Sequence, residues 1–189
     1  MSTHIAKCDK CSYGADFSDP LRSYEMPDGT TISMRKTFVW CRVCREVRWG
    51  EELAELAEYE RELVATTARD SIVLEELSFS VSRDKTLEQL LTARTQDLQA
   101  QIAWRRRRSS PPRCLECGSS EIATFVYSET EAEDDMWTLK EHPGCGGSIR
   151  VLRKMVITLD RRWFRYTPEG ERKQAYEMYP YKGAVPIDG

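Results

Sequence analysis

Six of the seven cysteines in this chain stand three residues apart in pairs: Cys8 with Cys11, Cys41 with Cys44, and Cys114 with Cys117. The seventh, Cys145, has no cysteine partner at that spacing, but His142 occupies the place where one would stand. A C-x-x-C turn puts two sulfurs on one side of a tight knuckle, where backbone N–H groups can point at the thiolates and offset part of their charge. Zinc in a structural site takes four Cys or His ligands in a tetrahedron. Seven cysteines and His142 make eight ligands, which fill two tetrahedra. Taken in chain order they group as Cys8, Cys11, Cys41 and Cys44 in one site and Cys114, Cys117, His142 and Cys145 in the other. Two alternatives stay open: His4 could replace a ligand, and His142 could be a surface histidine ahead of the Pro143-Gly144 turn. An odd cysteine count argues against a closed disulfide framework. The expected cofactor is therefore Zn2+, two per chain, with rubredoxin-like iron at the all-cysteine site as a further alternative.

Glycine just past a ligand lets the chain turn closely there. Gly118 follows Cys117, Gly146 and Gly147 follow Cys145, and Gly14 lies three past Cys11, whereas Cys44 has no such neighbour. A module of some forty residues buries too little apolar surface to fold by itself. A structural zinc adds on the order of 10 kcal/mol, so the metal belongs to the fold.

The elements that must position these ligands fall into parts of different composition. The chain has 189 residues, a net charge of −3 and 31% charged residues, which suits a soluble globular protein. Its first twenty residues have no apolar signal segment, and apolar runs such as MVITL are too short to span a bilayer. A cytoplasmic location is the expectation. Residues 1–50 carry two cysteine pairs around a Pro27-Asp28-Gly29 turn and a β-rich run from Thr30 to Trp40. Residues 51–108 lack Gly, Pro and Cys. A helix is expected to start after Gly50 with Glu51 and Glu52 at its positive end, showing Leu53, Leu56, Leu63 and Val64, with Leu74 and Leu77 continuing the face. After a break at SFSVSR, Asp84 can cap a second helix bearing Leu87, Leu90, Leu91, Leu98 and Ile102. This pair reads as an antiparallel hairpin, though its stripe could serve self-association with a second copy. The SSPPR linker opens residues 109–175, with a strand at Ile122–Tyr127, the acidic run ETEAEDD, alternation at Ile149, Val151, Met155, Ile157 and Leu159, and a turn at YTPEGER. Residues 176–189 form a Tyr- and Pro-rich tail. The fold class is α+β: two small β-rich zinc ribbons joined by an antiparallel helical hairpin.

The segments CDKC, CRVC, CLECG and HPGCGG make the chain resemble the zinc-ribbon class over residues 8–44 and 114–166. That resemblance implies two knuckles, each feeding a small sheet, and a role in nucleic-acid machinery or protein docking.

Catalytic signatures are missing: no Gly-rich phosphate loop, no H-E-x-x-H and no nucleophile elbow occur. The Pro112-Arg113-Cys114-x-x-Cys117 stretch lacks the upstream H-x-E of zinc deaminases. The chain is net acidic up to residue 103 and net basic from 104 to 173. Arg105, Arg106, Arg107 and Arg108, with Arg161, Arg162 and Trp163, could contact phosphates and stack on bases. They could equally end a helix and pack a sheet. The tail, with Tyr176, Tyr179 and Tyr181 around Pro180, suits an extended docking segment. The expected function is a non-catalytic zinc-binding adaptor for a protein partner, with nucleic-acid binding as the alternative and no membrane association.

Overall fold

The computed structural model describes residues 3–81, 85–128, 136–154, 162–179 and 183–187. Asp84, the acidic run 129–135, Met155, Ile157, Leu159, Arg161, Pro180 and Tyr181 lie outside them. The described residues form an α+β structure with thirteen strands and three helices.

The strands are β1 (Thr3–Cys8), β2 (Gly14–Phe17), β3 (Leu21–Glu25), β4 (Thr31–Ser33), β5 (Lys36–Cys41), β6 (Glu46–Glu51), β7 (Ile122–Thr124), β8 (Val126–Ser128), β9 (Met136–Leu139), β10 (Ile149–Lys154), β11 (Arg162–Tyr166), β12 (Arg172–Tyr179) and β13 (Gly183–Pro186). They build three sheets, ordered β2-β1-β10-β9-β8, β13-β12-β11-β3-β4 and β6-β5-β7. Each sheet draws strands from both sides of the helical segment. β1 runs antiparallel to β10, β3 parallel to β11, and β5 antiparallel to β7. The 1–50 and 109–175 segments thus interleave instead of folding as separate ribbons.

The reason is visible in the burial. β5, KTFVWC, has four consecutive buried residues from Phe38 to Cys41, the pattern of a strand covered on both faces. One core cluster joins Phe38, Trp40, Val47 and Trp49 to Leu115, Ile149, Val151 and Tyr166. The cluster draws its rings from both halves, so neither half encloses it alone. The expected strand at 122–127 divides at Phe125, whose buried ring and bond from its N–H to the Phe38 carbonyl (3.0 Å) send β7 and β8 to different sheets.

The turns follow their residue types. Gly29 takes φ +82° between β3 and β4, where Met26 N–H donates to Thr30 O (2.8 Å), and Thr167 N–H donates to Glu171 O (2.7 Å) across the YTPEGER turn. The tail is not free at its start: Tyr176 and Tyr179 lie in β12, which pairs with β13.

The helices are α1 (Leu56–Thr67), α2 (Ser71–Ser78) and α3 (Leu87–Arg107). The expected start at Glu51 is corrected: residues 46–51 are strand, and a Cβ on Gly50 would stand 2.5 Å from Val39 Cγ1. α1 and α2 are separate helices because Arg69 turns left-handed (φ 56°) and the Asp70 carboxylate caps Ile72 N–H (2.9 Å). Thr86 and Gln89 form a reciprocal capping box at the start of α3. α1 packs on α3 around Ala54, Tyr59, Leu98 and Ile102. Arg106 pairs with Glu60 toward one end of this contact and Arg69 with Glu88 toward the other. No helix among the described residues is long and apolar enough to cross a membrane.

Candidate metal centres

β1 ends at Cys8, whose register partner is Ile149, the first residue of β10. The knuckle after β1 therefore meets the knuckle before β10. Cys8, Cys11, His142 and Cys145 converge with their ligand atoms all within 4.8 Å of one another. β5 ends at Cys41, paired with Ile122 of β7, and Gly50 of β6 bridges to Cys114. Cys41, Cys44, Cys114 and Cys117 converge in the same way.

All eight expected ligand residues fall in the two clusters, but the expected grouping is overturned. Cys41 and Cys44 share a centre with Cys114 and Cys117, not with Cys8 and Cys11; His142 and Cys145 share one with Cys8 and Cys11. The pairs are nested: the first with the fourth, the second with the third. Chain order fails because strand pairing sets which knuckles meet. His4 replaces no ligand. It is buried in β1, with its ring against Phe38 (5.0 Å) and Trp49 (5.5 Å).

The donor geometry fits a tetrahedral ion. Cys8 and Cys145 sulfurs are 3.5 Å apart, as are those of Cys41 and Cys117. His142 presents Nδ1 at 3.2 Å from Cys145 Sγ and 3.5 Å from Cys11 Sγ. A disulfide would need about 2.05 Å. The edge of a tetrahedron around zinc, with Zn–S near 2.3 Å, is about 3.8 Å. The residues thus suit a four-coordinate metal held entirely by protein.

The knuckles repeat one backbone design. Cys8, Cys114 and His142 N–H groups donate to the carbonyls five residues on, at Tyr13, Ser119 and Gly147. Lys10, Cys44 and Gly147 N–H groups point at Cys8, Cys41 and Cys145 sulfurs, each at 3.4 Å. Gly118 and Gly146 turn left-handed at φ 74° and 64°, closing their N–H groups on Cys114 and His142 carbonyls. The knuckle without a glycine makes the same turn: Arg45 adopts φ 56° and its N–H reaches Cys41 O (2.8 Å).

The two centres differ in surroundings. In the all-cysteine centre, Cys41 and Cys114 are fully buried. Burial pushes the Cys114 thiol up, and burial with the neighbouring Cys117 and Cys41 sulfurs pushes Cys44 up to about 11. In the histidine-containing centre, burial is outweighed at Cys8 by the Lys10 and Cys11 N–H groups and by contacts with His142 and Cys145, which bring it down to about 6. His142 is itself buried, between Trp40 (4.7 Å) and Tyr13 (5.1 Å). A cleft of about 840 Å³ opens beside it, lined by Tyr13, Trp40, Arg42, Arg45, His142 and Pro143, and so reaches the knuckles of both centres.

Among the described residues, the proposed nucleic-acid residues differ in burial and in partners. Arg108 is wholly buried, so its assignment to phosphate contact is overturned. It pairs bidentately with Glu51, also wholly buried (2.8 and 2.7 Å), and donates to Pro168 O (3.0 Å). Glu51 also accepts from the Tyr24 hydroxyl (2.8 Å) and Arg113 N–H (2.9 Å). Burial, then the Glu51 charge, pushes the Tyr24 hydroxyl well above its usual range and keeps it a donor. The pair fixes both ends of the helical insertion to the sheets. Arg105 donates to Ala54 O, Arg106 pairs with Glu60, and Arg107 turns back to Ala103 O. Arg162 is exposed in β11, and Trp163 Nε1 donates to Ser23 Oγ (3.0 Å) with Arg165 stacked 4.5 Å over its ring. Sequence reasoning missed the Glu51–Arg108 pair; the lone acid–base match across the helical insertion carries no local signal.

Comparison of the chain with protein-family models, with curated proteins and with solved structures found no match.

Proposed function

We propose that this chain is a non-catalytic zinc-binding protein that acts as an adaptor for a protein partner. Two zinc ions hold the interleaved strands as one rigid head, and α1 and α3 form an antiparallel arm. The observation that carries the reading is the completeness of both ligand sets: each centre has four protein donors at tetrahedral spacing, which leaves no coordination position for a substrate. Zinc is the metal that the sulfur-rich donor set favours.

The partner surface is supported by the arm. Val64, Ile72 and Phe79 of the α1–α2 segment are 69%, 67% and 84% exposed, three large apolar side chains offered to solvent along one segment. The nucleic-acid reading draws less support, since Arg108 is buried and Arg106 is paired.

Elemental analysis of protein purified without added metal is expected to return about two equivalents of zinc. Capture of a partner from host extract is expected to survive nuclease and to be lost in Phe79→Asp and Val64→Asp variants that keep both metals. One metal equivalent, or capture abolished by nuclease, overturns the reading.

A further inference from the structure

Two arginine side chains are buried almost completely, and they are answered differently. Arg108, at 0% exposure, meets the Glu51 carboxylate at 2.7 and 2.8 Å. Arg22, at 2%, has its carboxylate partner, Glu116, only at 3.7 Å, and Glu116 is itself 42% exposed. Its other polar contacts are the Pro20 carbonyl at 3.5 Å and the neighbouring Tyr166 hydroxyl, and its Nε has no hydrogen-bond partner among the described residues. A charge-assisted hydrogen bond closes at about 2.7–2.9 Å, so this guanidinium is buried without a matched anion. A buried charge left so is costly.

Arg22 lines a cavity of about 280 Å³ together with Arg48, Arg162 and Arg172. Among the described lining residues the carboxylates are Asp16 and Glu116, so cations exceed anions there. Phe164 forms a wall: the guanidinium carbons of Arg172, Arg22 and Arg162 lie 4.4, 5.7 and 5.8 Å from its ring centroid. Trp49 forms another, 5.9 Å from Arg22. Rings hold the guanidiniums in place before any ligand arrives, which lowers the ordering cost of binding. Glu116 lies 3.7 Å from Arg22 and 3.6 Å from Arg172, between the two, and its exposure lets it swing to water. Arg48 is already engaged by Glu46.

We propose that this cavity binds a phosphate group, presented free or on a small phosphomonoester, with Arg22 and Arg172 as its principal donors and Glu116 as the resident competitor. Guanidinium forks match phosphate oxygens bidentately. The volume falls just under the roughly 300–1,000 Å³ of sites for larger ligands, so it takes the phosphate while the remainder of an ester stays outside.

The test is calorimetric titration of the metal-loaded full chain at constant ionic strength with inorganic phosphate, adenosine monophosphate and acetate. Saturable one-to-one phosphate binding is expected, with acetate far weaker. Equal affinity for phosphate and the monophosphate identifies free phosphate as sufficient, and tighter monophosphate binding identifies an ester; both support the site. Arg172→Gln, at an exposed position, is expected to weaken binding roughly tenfold or more, the loss of one charged hydrogen bond. Glu116→Gln is expected to tighten it, a result that a merely structural arginine cluster does not produce. Arg106→Ala, outside the cavity lining, is expected to change nothing. Absence of saturable binding, acetate binding as well as phosphate, or affinity unmoved by Arg172→Gln or not raised by Glu116→Gln would overturn the proposal.

Discussion

The all-cysteine centre and the histidine-containing centre share a knuckle design and differ in what they close. The inner one, Cys41, Cys44, Cys114 and Cys117, ties β5 to the start of the post-helical segment, with two sulfurs fully buried beside Leu115 of the main core. The outer one, Cys8, Cys11, His142 and Cys145, ties β1 to β10, and only His142 among its ligands is buried. The inner centre thus encloses the helical insertion and the outer centre encloses the inner. Loop-closure cost rises only by about 0.6 kcal/mol per doubling of length, so a long helical insertion between knuckles is tolerated as long as its two ends are fixed. Glu51 and Arg108 fix them.

Ligand loss at the two centres should therefore have unequal consequences. Cys114→Ser is expected to have the largest effect. It removes a wholly buried ligand and forfeits most of a contribution on the order of 10 kcal/mol, so the chain should lose cooperative unfolding by circular dichroism. His142→Ala is expected to cost one metal equivalent, with proteolysis opening first at residues 8–13 and 140–148 while the α1–α3 arm stays protected. Equal damage from both substitutions would erase the distinction.

Arg108→Met is expected to rank next, at roughly 3–5 kcal/mol in chemical denaturation, because it strands the Glu51 charge in the core. Pairing it with Glu51→Leu should recover much of that loss, since removing both charges spares the desolvation cost. Thr86→Ala should be smallest, about 1 kcal/mol, from loss of the capping box on α3, with both metals retained.

The residues that make up the two clusters were legible in the sequence because C-x-x-C spacing is local: each knuckle needs only its own few residues. The pairing of knuckles was not, because it depends on contacts such as Cys8 with Ile149 and Cys41 with Ile122, far apart in the chain. The α+β class and the helical insertion between the second and third knuckles were legible from composition. Glu51 and Arg108 were misread because the local rule, acids at helix starts and bases at helix ends, describes them equally well before their pairing is known. Arg45 shows the limit of glycine as a turn marker. The hydrogen bond to Cys41 and the closing ligand geometry hold a non-glycine residue left-handed.

The nested pairing of the knuckles is tested most directly by alkylating the native Cys11→Ser variant and mapping labelled cysteines by peptide mass spectrometry. Opening the outer centre is expected to label Cys8 and Cys145 together while Cys41, Cys44, Cys114 and Cys117 stay protected by their own metal. Labelling of Cys8, Cys41 and Cys44 with Cys145 protected would contradict it and restore the chain-order grouping.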